Sequence, residues 1–275
     1  MNRRSVARFA ARRYVAGASI EDAVRAAARY AAAGFGTTIG YWDGPDETPR
    51  SARDRNLEAV RTLAAGGLDT YLSLKAKALG YDPACVEPVT DAARAAGMRV
   101  HFDSIDPAGA APSLELAAAA RGAGAEVGFS LPGRWRRSLD DADAAVELGL
   151  AVRVVKGERD ETGSPAPPQS GRREDFLTVV ERVAGRAPLV AVATHDASLA
   201  RAALELLQRC GAPCELELLA VFPLEPARSV AQALGVPVRI YVSFGYPWLP
   251  YGLRHVARSP RVLGWLARDL LRGHA

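Results

Sequence analysis

Cysteine is scarce in this chain, which has only Cys85, Cys210 and Cys214 among its 275 residues. Three cysteines do not make a disulfide framework, and no histidine lies near Cys210 and Cys214 at the spacing of a zinc site. The low count excludes a disulfide-rich secreted domain and is typical of reduced thiols in the cytoplasm. We therefore expect a cytoplasmic protein without a metal site.

Long apolar runs are also missing from the sequence. No stretch is long enough to span a bilayer, and no apolar segment follows the basic start at Arg3 and Arg4. We expect neither a transmembrane helix nor a secretory signal peptide. A Walker loop and a serine nucleophile elbow are missing as well, so the common nucleotide triphosphate and serine hydrolase chemistries have no support.

Charge of one sign is not concentrated anywhere along the chain. The net charge is +4, and the arginines are scattered over many segments without a basic block interleaved with aromatic residues. We therefore expect no nucleic-acid partner. The composition is 49% hydrophobic and 24% charged, which is typical of a folded globular protein and argues against disorder.

Short apolar segments alternate with amphipathic ones from residue 36 onwards, which predicts strands that alternate with helices. The predicted strands are residues 36–40, 70–75, 98–103, 126–131, 151–155, 189–193, 215–220 and 238–242. The predicted helices are residues 20–33, 53–65, 85–96, 113–121, 140–148, 173–183, 199–210 and 226–234.

Strand–helix alternation indicates a parallel sheet, and eight units in about 250 residues fit a (βα)8 barrel. An open doubly wound sheet is the competing architecture, but the segment 34–40 matches its glycine-rich phosphate fingerprint poorly. We predict an α/β fold, a TIM-type barrel formed by residues 1–275 as a single domain with an extra N-terminal helix. The loop at 160–171, rich in Pro, Gly and Ser, is expected to lie over the barrel mouth, the end where the strands finish.

Polar side chains follow the ends of most predicted strands, where the active sites of barrel enzymes lie. A ring of such residues is a signal of a site, because buried charges need partners or ligands. In chain order they are Tyr41, Trp42, Lys75, Lys77, Asp103, Asp106, Arg153, Lys156, Thr194, His195, Asp196, Glu217 and Tyr241.

Two residues of this ring have competing interpretations. Arg153 lies inside a strand, where it either serves an anionic ligand together with Lys156 or is paired with Asp103 or Glu217. His195, between Thr and Asp at a strand end, is a base, a ligand-contacting donor or a satisfied rim histidine. Metal binding has little support there, because no second histidine lies at ligand spacing.

The segment 238–260 combines a strand, a turn rich in Gly, Pro and aromatic residues, and a helical pattern. In the helical part, Tyr251, Arg254 and His255 fall at i, i+3 and i+4, which places them on one face. A guanidinium on such a face offers a planar fork of donors to a carboxylate. This face therefore indicates a small substrate that carries a carboxylate.

Taken together, these segments resemble the proline dehydrogenase family, whose members are distorted (βα)8 barrels that bind FAD. The resemblance covers about residues 20–260, and six or more short motifs follow one another in the family's order. The matching segments are residues 71–75, 78–80, 100–103, 137–141, 152–157, 193–195, 239–242 and 251–254, with Gly245 and Trp248 between the last two.

The resemblance implies a flavin over the barrel mouth and a small amino-acid substrate beside it. The residues implied to contact FAD are Arg153, Val155, Lys156, Thr194 and His195, and those implied to contact the substrate are Lys75, Asp103, Tyr241, Tyr251, Arg254 and His255. Hydride would pass from the ring carbon beside the nitrogen of proline or a related cyclic amino acid to FAD, which gives an imine. The electrons would then reach a quinone-type acceptor at a membrane surface.

The sequence departs from the family pattern at several places. His255 replaces the second of two adjacent arginines, and Pro132 lies where a glutamine of the flavin pocket is usual, although Pro donates no hydrogen bond. These changes leave an alternative open, in which a divergent barrel of the family acts on another amino-acid-like substrate with altered or no flavin use. A non-catalytic scaffold is less compatible with the dense polar ring.

The C-terminal segment 262–272 has an amphipathic pattern that includes Trp265 and flanking arginines. A helix that packs on the barrel explains this pattern best. The alternative is a peripheral contact with the inner face of the membrane, which would suit a quinone partner.

Overall fold

The computed structural model describes residues 15–157 and 171–246, and eight parallel strands among them close into a barrel in the order of the chain. The strands are β1 (Gly36–Trp42), β2 (Thr70–Leu74), β3 (Val100–Phe102), β4 (Val127–Pro132), β5 (Ala151–Val155), β6 (Val190–Ala193), β7 (Cys214–Leu219) and β8 (Val238–Gly245). The predicted (βα)8 barrel is confirmed, and the doubly wound alternative is wrong.

Seven helices connect or follow these strands in the described ranges, and one helix precedes β1 as predicted. They are α1 (Ile20–Ala32), α2 (Pro49–Gly66), α3 (Pro83–Ala95), α4 (Pro107–Gly122), α5 (Ser138–Glu147), α6 (Gly171–Val183), α7 (Ala197–Arg209) and α8 (Ala227–Ala233). A single turn of 3₁₀ helix, Ala76–Leu79, follows β2.

Six helices begin earlier than the sequence predicted, and three of these begin at a proline. Helices α2, α3 and α4 start at Pro49, Pro83 and Pro107, which were read as part of the preceding loops. A proline in the first helical turn loses no hydrogen bond, because the first N–H groups of a helix have no intrahelical acceptor. Side-chain caps complete these starts, as where Asp106 accepts a hydrogen bond from the Gly109 N–H at 2.9 Å.

The first and last strands pair over a longer stretch than predicted. Strands β1 and β8 continue to Trp42 and Gly245, and their register includes Tyr41 opposite Phe244. The two aromatic rings lie 5.2 Å apart, a distance typical of a favourable cross-strand aromatic pair. This pair extends the seam that closes the barrel.

The apolar core lies between the outer face of the barrel and the helices. It includes the fully buried side chains of Ile39, Leu72, Leu74, Phe102, Phe129 and Leu204. Each such side chain contributes roughly 1.5–3 kcal/mol when it leaves water. The alternate residues of the strands point into the barrel, and many of them are polar, whereas barrel interiors usually hold branched aliphatic side chains.

Several sequence predictions concern residues that this description does not include. The loop over the barrel mouth lies almost wholly in residues 158–170, and the segments 247–260 and 262–272 lie after the last described residue. The assignment of residues 1–275 to a single domain therefore stays a prediction. Within 15–157 and 171–246, no helix is long and apolar enough to cross a membrane.

Candidate active site

Five charged or phenolic side chains meet inside the barrel near its mouth. We call this group the barrel cluster, and its members are Lys75, Asp103, Arg153, Glu217 and Tyr241. All five were among the polar residues that the sequence placed at strand ends. They come from five different strands or strand ends, so only the closed barrel brings them together.

Arg153 lies at the centre of the cluster and is only 3% exposed. Its Nε donates to Glu217 at 2.8 Å, and one terminal nitrogen donates to Asp103 at 2.7 Å. The in-register neighbours of Arg153 are Ser130 on β4 and Ala191 on β6, whose small side chains leave room for the guanidinium. Arg153 is thus paired with both carboxylates that the sequence offered as partners, and this pairing leaves open whether it also binds a ligand.

Asp103 connects the cationic and the hydroxyl-bearing members of the site. One of its oxygens accepts hydrogen bonds from Ser73 at 2.8 Å and from Tyr241 at 3.2 Å. The Lys75 ammonium lies 3.7 Å from the same oxygen, and the other oxygen accepts from Arg153. A change at Asp103 would therefore release several groups at once.

Lys75 is a buried ammonium, 4% exposed, at the end of β2. It donates to the Tyr241 hydroxyl at 3.1 Å and lies 4.4 Å from the centre of the Trp42 ring. Burial lowers the pKa of Lys75, and the nearby Asp103 opposes that shift. Burial, followed by the charge of Asp103, raises the pKa of Tyr241 well above its usual value, so the phenol stays protonated and donates.

A glycine on β1 makes room for the Tyr241 hydroxyl. A Cβ added at Gly40 would overlap with that hydroxyl and with the ring carbon that carries it. We expect Gly40→Ala to displace Tyr241 from Lys75 and Asp103, and to lower kcat/KM for the physiological substrate about 10²-fold, as an error of about 1 Å in positioning does.

The matched control is Gly122→Ala, because a Cβ at Gly122 meets no atom within 4 Å. Steady-state kinetics and the free energy of unfolding of both variants should be measured together. A Gly40→Ala enzyme with the kinetics of the control would show that the position of Tyr241 does not matter.

A buried histidine that the sequence did not select lies beside the cluster. The Nε2 atom of His101 is 3.1 Å from the Ser130 hydroxyl, and that hydroxyl donates to Asp103 at 3.4 Å. Burial, together with the charge of Arg153, lowers the pKa of His101 well below its usual value. Because Ser130 donates to Asp103, His101 is neutral with its proton on Nε2 in this arrangement.

The depressed pKa of His101 makes stability depend on pH. Below about pH 6.5 the unfolded chain takes up a proton at this residue that the folded protein does not take up. The free energy of unfolding should therefore fall as the pH drops from about 6.5 towards the folded pKa, by about 1.4 kcal/mol per pH unit for each such proton.

Denaturant unfolding of the wild type and of His101→Gln, at several pH values between 5 and 7.5, measures this dependence. The variant should lose the part of the slope that His101 contributes. His195→Gln is measured alongside, because burial also lowers the pKa of the half-buried His195 and its share of the slope must be separated from that of His101. An unchanged slope in His101→Gln would contradict a neutral buried His101.

A second polar layer lies below the cluster, and sequence reasoning missed most of it. The Tyr71 hydroxyl donates to Glu217 at 2.9 Å, and the guanidinium of Arg239 lies 4.7 Å from the Tyr71 ring centre. Arg239 in turn donates to Glu215 at 2.9 Å. The signal was present, because Tyr71, Ser73 and Lys75 are spaced by two residues and so point to the same side of β2.

The ends of β5 and β6 present a more exposed set of residues. The Lys156 side chain is 51% exposed, and its ammonium lies 3.7 Å from Asp196. The backbone carbonyl of Val155 accepts from the Gly133 N–H at 2.8 Å. The buried Thr194 hydroxyl accepts from the Asp196 N–H at 3.2 Å, which leaves its own proton to be donated.

The ring nitrogens of His195 are bound by the last residue of β7 and by the loop after it. Its Nε2 accepts from the Leu219 N–H at 2.9 Å, so Nδ1 carries the proton and donates to the Pro223 carbonyl at 3.1 Å. This arrangement is that of a satisfied rim histidine, one of the interpretations left open by the sequence. In the described ranges, no group of three or more metal-ligating side chains occurs.

The other predicted polar residues lie outside the cluster or outside the description. Lys77 pairs with Asp106 at 2.7 Å on the surface, where Asp106 caps α4. Tyr251, Arg254 and His255 belong to residues 247–275, which the structure does not describe. Whether they complete the site stays a prediction.

Two surface depressions lie away from the barrel mouth. One of about 230 Å³ runs between α3 and α4, and one of about 690 Å³ lies along the outer face of α2. The first is lined by Tyr81, Val86 and Leu116 among others, and neither contains a member of the barrel cluster. The barrel cluster holds Lys75 and Tyr241, whose pKa values are shifted by burial, and such buried shifted groups mark functional sites.

A closed parallel (βα)8 barrel with ionisable side chains clustered at the carboxyl ends of its strands defines the architecture of a barrel enzyme. The chain is 24% identical to proline dehydrogenase 1 of Bacillus subtilis subsp. natto over 277 residues, covering 96% of this chain and 92% of that protein. It is 26% identical to the proline dehydrogenase of Deinococcus radiodurans over 282 residues, covering 96% and 90% of the two chains. These similarities over almost the whole chain support a divergent member of the proline dehydrogenase family.

Solved structures show the same fold. Proline utilization A from Bdellovibrio bacteriovorus, inactivated by N-propargylglycine, superposes with a TM-score of 0.76 at 17% identity, over 90% of this chain and 32% of that chain. The protein of the same name from Corynebacterium freiburgense gives a TM-score of 0.70 at 16% identity, over 87% and 29%. The present chain thus spans about a third of these larger proteins. No family model matches the chain.

Proposed function

We propose that this protein is an FAD-dependent dehydrogenase that oxidises proline or a related cyclic amino acid to the imine and passes the electrons to a quinone-type acceptor. The observation that carries the proposal is the barrel cluster, in a chain that aligns with proline dehydrogenases over 96% of its length. Its residues coincide with those that the family resemblance implied for substrate and cofactor, namely Lys75, Asp103, Tyr241 and Arg153.

The guanidinium of Arg153 can donate one hydrogen bond to a flavin. Glu217, Asp103, Ser73 and Tyr71 accept four of the five guanidinium N–H groups, the last two at 3.4 Å. Among the described residues, the fifth N–H of Arg153 has no acceptor. We propose that this N–H, with the Lys156 ammonium and the Thr194 hydroxyl, holds FAD, which would supply the two-electron acceptor.

The charges of the cluster bear on how a substrate is held. Lys75 and Arg153 carry two positive charges, and Asp103 and Glu217 carry two negative ones, so the four together are electroneutral. An electroneutral cluster orients an amino acid through hydrogen bonds to Lys75 and Tyr241 without attracting the carboxylate of that amino acid strongly. In our proposal the carboxylate is bound by Arg254, with His255 beside it.

A visible absorption spectrum of the purified protein tests the proposal directly. The protein, as isolated or after incubation with FAD, should show the visible absorption band of an oxidised flavin. Anaerobic addition of L-proline should bleach that band, and a quinone analogue should restore it. A colourless protein that takes up neither FAD nor FMN would contradict the proposal, and an unbleached yellow protein would contradict the substrate.

The second candidate is a divergent barrel that acts on another amino-acid-like substrate with altered or no flavin use. The ring of His195 favours it, because Leu219 at the end of β7 and Pro223 in the loop after it occupy both nitrogens of a residue implied to contact FAD. Pro132 at the end of β4 favours it too, since it brings no side-chain donor. Turnover of an amino acid by protein shown to be free of flavin would establish this candidate.

Transfer of electrons to a quinone would place the protein next to a membrane, and we propose a cytoplasmic protein with at most peripheral contact at the inner face. The amphipathic pattern of residues 262–272 supports this contact. Sedimentation with liposomes, with and without residues 261–275, measures it. Equal sedimentation of both forms would assign that segment to the barrel instead.

A further inference from the structure

We infer that Glu217 is a positioning residue that fixes the Arg153 guanidinium and, through its charge, lowers the reduction potential of the flavin at the barrel mouth. The second part rests on the proposed function. Glu217 contacts both Arg153 and Tyr71 and is almost fully buried.

Glu217 is 3% exposed and holds Arg153 from the side away from Asp103. One carboxylate oxygen accepts from Arg153 Nε at 2.8 Å and from the Tyr71 hydroxyl at 2.9 Å. Asp103 accepts from a terminal nitrogen of Arg153 at 2.7 Å. With both ends of the guanidinium held, its remaining N–H has a fixed direction, which a single ion pair would not provide.

The second oxygen of Glu217 is buried and has no hydrogen-bond donor among the described residues. Water and hydrogen-bond donors therefore compensate little of the negative charge, and Arg153 compensates most of it. A charge in such surroundings acts over a longer distance than one in water, because the local dielectric constant is low. The positive charge that Arg153 presents to a ligand is reduced accordingly.

The consequence for a flavin follows from the charge that reduction adds. Two-electron reduction with uptake of one proton turns the neutral oxidised ring into an anion. A cation beside the ring stabilises the anion and raises the potential, whereas a carboxylate behind that cation opposes the effect. Removing the charge of Glu217 while keeping its shape should thus raise the potential.

The chain offers a matched control on the same strand. Glu215 is also buried and also accepts from an arginine Nε, that of Arg239, at 2.9 Å. It lies two residues before Glu217 on β7, one inward position further from the barrel mouth. Glu215→Gln and Glu217→Gln therefore make the same chemical change at two depths.

Potentiometric titration of the FAD-loaded protein gives the main measurement. Glu217→Gln should shift the equilibrium between oxidised and reduced flavin at least tenfold towards the reduced form, an upward shift of about 30 mV for a two-electron couple. Glu215→Gln should shift it less than threefold. Equal shifts in the two variants, or none in Glu217→Gln, would overturn the electrostatic part of the inference.

A second measurement does not need the flavin. In ¹⁵N NMR spectra of the wild type, the Arg153 Nε–H should exchange slowly with water, and Glu217→Gln should shift its resonance and speed up the exchange. Glu215→Gln should instead shift the resonance of the Arg239 Nε–H and speed up its exchange with water. Rapid exchange of the Arg153 Nε–H in the wild type would overturn the positioning role, and this result is obtained even if Glu217→Gln fails to fold.

The two measurements separate failure of the inference from failure of the proposed function. If the protein takes up no flavin, the proposed function fails, and the NMR result alone decides whether Glu217 positions Arg153. If flavin binds and Glu217→Gln has the reduction potential of the wild type, the proposed function stands and the electrostatic role of Glu217 fails. Glu217→Asp, which keeps the charge, should leave the equilibrium between oxidised and reduced flavin within threefold of that in the wild type. A tenfold change in this variant would count against charge as the cause.

Discussion

Replacing Arg153 by Met is expected to lower the free energy of unfolding by about 3–5 kcal/mol, the cost of removing one partner from a buried ion pair. The reason is that Asp103 and Glu217 would each lose a charged hydrogen bond of 2.7–2.8 Å while Glu217 stays buried. Equilibrium denaturation with urea, followed by circular dichroism, measures the effect.

Lys156→Gln is the control for this prediction. Its ammonium is half-exposed and lies 3.7 Å from Asp196, so the expected loss is below about 1 kcal/mol, as for surface ion pairs in general. If Arg153→Met and Lys156→Gln differed by less than 1 kcal/mol, Arg153 would not be the buried link that its contacts indicate.

Replacing Asp103 by Ala is expected to lower kcat/KM for proline at least about 100-fold, the scale of loss when reacting groups move by about 1 Å. The carboxylate accepts hydrogen bonds from Ser73, Tyr241 and Arg153, and Lys75 lies within ion-pair distance. Without it, Tyr241 loses the acceptor of its hydroxyl and Lys75 loses its ion-pair partner. Steady-state kinetics with proline and an artificial electron acceptor measure the loss.

Asp106→Ala separates this effect from general destabilisation. Asp106 follows the same strand, caps α4 and pairs with Lys77 on the surface. Its removal should lower the free energy of unfolding by about 1 kcal/mol, the usual contribution of an N-cap, and leave kcat/KM within about threefold of the wild type. A similar kinetic loss in both variants would assign the effect of Asp103→Ala to stability.

The barrel could be predicted from the sequence because its strands carry a strong local signal. Short apolar runs of the right length recur eight times, and the residues 151–155 of β5 match the structure at both ends. The starts of α2, α3 and α4 were missed because proline reads as a loop residue until its position in the first turn is known. The end of β8 was missed because Phe244 belongs to the strand only through its pairing with Tyr41.

The members of the barrel cluster could be predicted, but their contacts could not. Arg153 had Asp103 and Glu217 as candidate partners, and only the barrel geometry shows that it binds both. His101 was passed over because it lies inside β3, between Val100 and Phe102, and only residues at strand ends were selected. A count by twos back from Asp103 places His101 on the same side of β3, so the signal was available.

The seam between β1 and β8 has a consequence for how the chain folds. Its seven register pairs join Gly36–Trp42 to the last strand, so the contacts that close the ring are also those most distant along the sequence. Non-local pairing of this kind forms late and slows folding. During synthesis, β1 keeps one edge unpaired until β8 has been made, so this edge is exposed to aggregation for the longest time.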